Sequence, residues 1–491
     1  MSTAMKATLI LFIILSSRVL YSQPVNSIHS DKDEVFNIGS QLELFVDTLL
    51  IHEFKNVRLH LHEPKDEGTV LIFDKPWEGP FCGYATIIKD HNKYRFYYRG
   101  LPEAGRDGSE TETTCYAESD DGIQWTKPNL GIYEVSGTYN NNVILANDAP
   151  FSHNFCPFRD TKDGIPPGEK FKAVAGTKET GLVGFISADG IHWEKIKGES
   201  IFTKGIFDSQ NVVFWSRNED CYVCYFRTWT QDGYSGIRTV SRTTSKDFIH
   251  WSDPVYMNFG DTQPEHLYTN QTHPYFRAPH IYIATAARFM PERQILTERQ
   301  AQQLNVNPKY FKDCSDVIFM TSRGGTTYNR IFMEAFIKPG IGLQNWVSRS
   351  NYPVLNIVQT GSNEMSIYVN QNYAQPTSHI RRYSLRIDGF VSITAPHDGG
   401  EFLTKPIIFD GKNLYLNYAT SAAGRIQVEI QEIDGRPITG YSLTDANVLI
   451  GNEIRRIVTW KDRIDLSEIS GEPVRLLFKM KDADLYSLKF E

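Results

Sequence analysis

Three carboxylates in this 491-residue chain stand where a core strand should open on an apolar residue: Glu78 in WEGPFCGY (77–84), Asp208 in FDSQN (207–211) and Glu265 in EHLYTN (265–270). One carboxylic acid that gives up a proton, with a second carboxylate that attacks or activates water, is the equipment for cleaving a glycosidic bond. In that scheme Glu265 is the general acid, tuned by its neighbours His266 and Tyr268. Asp208 is then the base or nucleophile, and Glu78 orients it or substitutes for it. With HNFCPF (153–158) and RSNYP (349–353), the same stretches supply His153, Asn154, Tyr84, Asn211, His266, Tyr268, Asn270 and Trp77 as substrate-binding candidates.

Those side chains also permit a second chemistry. A His or Tyr beside a uronic acid whose carboxylate is neutralised can remove the C5 proton and expel the C4 substituent, which is elimination and not hydrolysis. The alternative function is therefore a lyase or dehydratase on uronate-containing oligosaccharides, with Arg99, Arg227 and Arg288 available for a carboxylate or sulfate. A third class is a non-catalytic glycan-binding propeller that stacks sugars on Trp77, Tyr84 and Tyr268.

Five separated stretches need an architecture that gathers them, and a repeat supplies it. ESDDGIQW ends at Trp125, SADGIHW at Trp193, TSKDFIHW at Trp251, TSRGGTTY at Tyr328 and a weaker LRIDGF at Phe390. Each follows a strand-like run, and before it come further strand-like runs joined by a polar turn, as in YATIIKDHNKYRFYYRG and NVVFWSRNEDCYVCYFR. Three to four antiparallel strands per unit, five times over, predict a five-bladed β-propeller whose innermost strands begin around one axial pocket. PERQILTERQAQQLN (291–305) is the best helical candidate and falls in the longest unit, as an insertion over one face.

After Phe390 the tryptophan turn disappears and strands alternate with turns at short spacing, which predicts a β-sandwich over 395–491. Region 36–75 adds two or three strands that close the last blade or pack beside it. The expected organisation is all-β: a leader at 1–22, a propeller over 36–394 and the sandwich.

Composition bounds the partners. The chain is 41% hydrophobic and 22% charged with a formal net charge of −7 and no Lys/Arg run, which argues against a nucleic-acid partner. Lys6 followed by the apolar run Ala7 to Leu15 reads as a secretory signal, too short to span a bilayer, so an exported, periplasmic or secreted monomer without membrane attachment is expected. Six cysteines permit disulfides without requiring them, Cys82 with Cys156 among them. CYVCYF reads as a strand and not as a redox turn. His153, Cys156, Glu265 and His266 converge on the axis but match no local ligand spacing, so no metal or cofactor is expected.

A five-bladed propeller with S-x-D-G-x-x-W turns and a C-terminal sandwich resembles the furanosidase-type glycoside hydrolases, the family-32/43-like invertase/fructanase and arabinanase/xylosidase groups. LFVD, KPWEG, DGIQWTKPNLG, FDSQNVVFW, EHLYTN and DGGEF are similar to exported bacterial proteins described as family-32-like glycosyl hydrolases. The resemblance implies a glycosidase that degrades plant or algal oligosaccharides, and a pocket closed by five blades favours exo action, cutting from a chain end. The chain departs from it where the chemistry sits: WEGP replaces the first-blade N-D-P-N motif, and HNFCPFRDT only loosely matches the second-blade R-D-P. The family's carboxylate triad therefore does not carry over.

Overall fold

The computed structural model describes residues 34–105 and 107–491; the leader expected at 1–22 lies outside them. Four blades run in chain order. Blade one comprises Gly83–Asp90, Lys93–Gly100, Thr113–Ser119 and Val143–Leu145, and blade two Cys156–Arg159, Phe171–Thr177, Gly181–Ser187 and Glu194–Lys195. Blade three comprises Val212–Ser216, Cys221–Gln231, Ser235–Ser245 and Val255–Tyr256, and blade four His266–Tyr275, Ala278–Met290 and Cys314–Ser322. Blade five is assembled from both ends of the ring. Tyr352–Pro353, Glu364–Gln371 and His379–Arg386 are closed by Lys65–Ile72, which pairs antiparallel with His379–Arg386. Among the described residues the single α-helix is Glu298–Gln303, inside the expected insertion.

The repeated turn follows the third strand of each blade, and its local chemistry explains its composition. In blade two the Gly190 amide donates to Ser187 Oγ at 2.9 Å, while the Ile191 and His192 amides donate to Asp189 Oδ1 at 2.8 and 2.9 Å. Blade one repeats this with Ser119 and Asp121, and blade three with Ser245 and Asp247. The residue at the bend is left-handed, with φ of 75° at Gly122 and 74° at Gly190; Phe248 adopts the same conformation at 71°. Trp193 lies edge-on to Phe155 of its own blade at 5.0 Å and to Tyr97 of blade one at 6.4 Å, so it fills the seam between two blades. Trp193→Ala is expected to cost about 2–4 kcal/mol of stability, read by denaturant unfolding with unchanged activity below the transition.

The C-terminal body is an eight-stranded sheet and a two-stranded one, Phe36–Gly39 with Ile407–Phe409, around a separate core that includes Phe402, Trp460, Phe478 and Phe490. Its two long strands, Leu414–Gln431 and Arg475–Phe490, pair along their length with an irregularity between Thr420 and Arg425. Ile51–Lys55 and Arg58–Leu61 join this sheet, as does Val391–Ala395, so the N-terminal strands before residue 62 belong with the C-terminal body and not with the propeller. The aspartate of the fifth turn copy fastens the two bodies. Asp388, fully buried, accepts from Tyr275 Oη at 2.8 Å and from Arg277 at 2.7 Å on blade four, and from Asn417 at 3.0 Å and Ser487 at 2.8 Å on the C-terminal sheet.

The propeller axis is bolted shut midway. Gln210 donates to Thr86 Oγ1 at 2.9 Å and to the Ala85 carbonyl at 3.2 Å, and Gln271 donates to Gln210 Oε1 and to the Pro353 carbonyl, both at 2.8 Å. On one side lies a cavity of about 400 Å³ lined by the strand ends Ile87–Lys89, Val212–Trp215 and Leu355–Val358, with no carboxylate in its walls. On the other side, where the inner strands begin, the polar residues gather.

Candidate active site

Strand starts in four blades are bent into a conformation that L-residues avoid. Tyr84 (φ 47°), Asn154 (54°), Phe207 (55°), and Arg349 and Asn351 (both 61°) are left-handed at the entrances of blades one, two, three and five. Such residues cost on the order of 1–3 kcal/mol each and concentrate at functional sites. The cost is offset by packing: Tyr84, Tyr268, Phe289 and Tyr352 form one cluster, with Tyr268 and Tyr352 ring centroids 5.2 Å apart and Tyr84 and Tyr352 6.4 Å apart.

Four arginines surround these phenols. Arg227 lies 4.3 Å, Arg238 5.2 Å and Arg349 5.5 Å from the Tyr268 ring centroid, and Arg99 lies 4.7 Å from that of Tyr84. Arg227 is held by Asp208, its Nε donating to Oδ1 at 3.0 Å, and it donates to the Tyr268 carbonyl at 3.2 Å. Arg99 donates to the Phe81 carbonyl at 3.1 Å and to Tyr373 Oη at 3.3 Å, and faces Asp107 at 3.4 Å. Arg238 and Arg349 have no carboxylate partner among the described residues; Arg349 lies between the Tyr268 and Tyr310 rings, and Arg238 sits among Trp229, Phe289 and Tyr268.

Electrostatics separates the phenols. Burial alone would raise the Tyr268 hydroxyl, but Arg349, Arg227 and Arg238 outweigh burial and hold it below the ordinary phenol value. Burial pushes Tyr84 well above that value, as it does Tyr352, with Tyr268 adding to both shifts. An acid and a base of one chemical type require such opposite environments.

The blade-two entrance is built on His153. Its Nδ1 lies 3.0 Å from both oxygens of Glu112, and its Nε2 lies 2.9 Å from Asn154 Nδ2, which also donates to the Ser209 carbonyl at 3.0 Å. An amide donor on Nε2 places the imidazole proton on Nδ1, toward Glu112. Asp107, Glu112 and His153 bring their ligand atoms within 4.8 Å of one another, a donor set of the kind that holds a cation. Burial raises the Asp107 carboxyl, but Arg99, His153, Arg349 and Arg227 together hold it below its usual range. Asn154 Oδ1, both amide atoms of Asn211, and Tyr352 Oη are buried without a hydrogen-bond partner.

The expected site residues distribute unevenly. Tyr84, His153, Asn154, Asp208, Asn211, His266 and Tyr268 stand at the starts of the inner strands of blades one to four. His266 accepts from the Arg238 amide at 3.2 Å, and burial together with Arg238 lowers its pKa. Asn270 lies deeper on the blade-four inner strand, accepting from Thr272 at 3.0 Å. Glu78 is fully buried in blade one, where it accepts from Lys127 at 2.7 Å and from Tyr98 Oη at 2.5 Å. Trp77 is buried beside it, donating to Asn142 at 2.8 Å, and offers no stacking face to the axis. Glu265 turns outward between Arg330 and Arg288, the latter at 3.1 Å and itself bound to Asp316. Asp160 is buried against Lys172 at 2.7 Å and Tyr222 at 2.6 Å. All six cysteines are buried and unpaired.

Sequence reasoning passed over Arg238, Arg349, Tyr352, Asp107 and Glu112. Two signals were available: the long loop LPEAGRDGSETE between the second and third strands of blade one, and blade-three strands of 11 residues, twice the ordinary length.

Fold and site together define a five-bladed propeller whose inner-strand starts gather four arginines around a cluster of tyrosines. No protein-family model matches the chain, and no curated protein does. Among solved structures it is similar to a protein described as a glycoside hydrolase, at 12% identity and TM-score 0.43 over 66% of this chain and 92% of that one. It is likewise similar to an N-acetylgalactosamine deacetylase from F. plautii in complex with blood group B trisaccharide, at 14% identity and TM-score 0.41 over 67% and 95%. The catalytic domain of the Coprinopsis cinerea GH62 alpha-L-arabinofuranosidase aligns at 8% identity and TM-score 0.40 over 67% and 98%.

Proposed function

We propose that the protein is an exported carbohydrate-active enzyme that binds the end of an acidic plant or algal oligosaccharide in the axial pocket and carries out β-elimination on a uronate residue. The observation that carries this reading is Tyr268, a buried phenol held toward its anionic form by three guanidiniums, two of them without a carboxylate partner among the described residues. Arg349 and Arg238 receive the substrate carboxylate and so acidify the adjacent C5–H. Tyr268 takes the C5 proton, its electron pair becomes the C4=C5 double bond, and the C4–O bond breaks. The departing oxygen takes a proton from Tyr84, whose raised pKa keeps it protonated. If the C4 oxygen is a linkage, a shorter chain leaves; if it is a free hydroxyl, water leaves.

A second reading, exo-acting glycoside hydrolysis, is favoured by Asp208 and Asp107, whose side chains remain 29% and 48% exposed beside the mouth and each meet an arginine. Incubation with a panel of acidic and neutral oligosaccharides separates the two. New ultraviolet absorbance from a conjugated double bond supports elimination, whereas new reducing ends without absorbance support hydrolysis and sink the Tyr268 mechanism.

A further inference from the structure

The tyrosine and arginine cluster is flanked differently on its two sides. On one side the segment after the helix brings Tyr310 against Arg349 at 5.0 Å, Phe81 at 5.5 Å and Tyr373 at 5.6 Å, in a packed apolar cluster. On the other side stands the blade-three hairpin, whose strands Cys221–Gln231 and Ser235–Ser245 run 11 residues each, against 8 and 7 for the corresponding pair in blade one. The added length serves no core. It carries Trp229, edge-on to Tyr234 at 6.3 Å and 6.5 Å from His266, with Arg238 stacked 4.2 Å over its ring. Tyr234 is 42% exposed at the hairpin tip, and Lys178 from the blade-two hairpin holds one face of it at 5.1 Å.

We propose that Tyr234 and Trp229 form an outer sugar subsite, which takes the pyranose ring next to the residue held over Tyr268; this rests on the reading of the axial pocket as an oligosaccharide site. The C–H face of a pyranose stacks on an aromatic ring that is already fixed, so little ordering entropy is lost on binding. The Lys178 contact and the Trp229 edge supply that fixation, and the Trp229 indole N–H, without a partner among the described residues, is a donor within the same patch. The terminal sugar therefore occupies the side against Arg349, and the chain leaves across the hairpin.

The test uses a glucuronate-containing disaccharide and tetrasaccharide with the unaltered protein, Tyr234→Ala and Tyr234→Phe. Tyr234→Ala is expected to lower kcat/KM on the tetrasaccharide roughly 3- to 10-fold, several times more than on the disaccharide, with Tyr234→Phe close to the unaltered protein. Equal losses on both lengths, or none on either, overturn the subsite. Tryptophan fluorescence titration in a Tyr268→Phe background reads binding apart from turnover. Binding of both probes with no effect of Tyr234→Ala counts against the hairpin alone, whereas no binding of either probe to the unaltered protein counts against the axial site and takes the subsite with it.

Discussion

Tyr268→Phe is expected to lose on the order of 10²–10⁴-fold in turnover of a uronate-containing oligosaccharide, the range that a positioned proton-transfer group contributes. The substitution deletes one oxygen and keeps the ring, so the arginine contacts at 4.3 and 5.2 Å and the packing against Tyr352 survive. A melting temperature close to that of the unaltered protein is the control for folding. The pH profile carries a second signature. Tyr268 acts as a base only when deprotonated, so the rate rises with pH through its folded-state pKa, which the three guanidiniums hold below the ordinary phenol value. Full activity in Tyr268→Phe, or a rate insensitive to pH across that limb, would refute the assignment.

Arg349→Met is expected to raise KM roughly 10- to 100-fold, the value of a charge-assisted contact to a carboxylate, and to shift the rising limb of the pH profile toward higher pH. The sign follows from the charge. Arg349 is the largest of the influences that stabilise the Tyr268 anion, so its removal lets burial raise the hydroxyl again. Arg349→Lys should recover part of the pH shift but less of the affinity, because an ammonium restores the charge without the planar fork. A KM effect without any movement of the limb would leave Arg349 a binding group only and detach it from the base. Unchanged kinetics would remove it from the site.

Periodicity made the architecture legible. The Ser–x–Asp turn has the same three hydrogen bonds in blades one, two and three, so its spacing counted blades before any strand was paired. The contents of the pocket were legible in part. Tyr84, His153, Asn154, Asp208 and Tyr268 follow from reading polar residues at strand starts, because only there does the propeller turn a strand residue toward the axis. Glu78 and Glu265 satisfied the same rule and face elsewhere. A carboxylate in the turn ahead of a strand is steered by its nearest cation, and for Glu78 and Glu265 these are Lys127 and Arg288, which lie 49 and 23 residues away in sequence. Arg238 and Arg349 escaped notice for the converse reason. A lone arginine in a strand or loop reads as solvated, and only the ring stack around Tyr268 distinguishes these two.

The strand Lys65–Ile72 sets the order of assembly. Its partner His379–Arg386 lies roughly three hundred residues downstream, and the strands preceding it are committed to a sheet that cannot form until Arg475–Phe490 exists. The four sequential blades form from local hairpins, whereas ring closure waits for the end of the chain and dominates the contact order. Until that clasp engages, the outer edge of blade five presents open backbone donors and acceptors, the part of a nascent propeller most exposed to pairing with a stranger. The lesson for anyone producing shortened forms is directional: trimming either end past these strands deprives the ring of its fastener, and aggregation rather than loss of the pocket is the first symptom to look for.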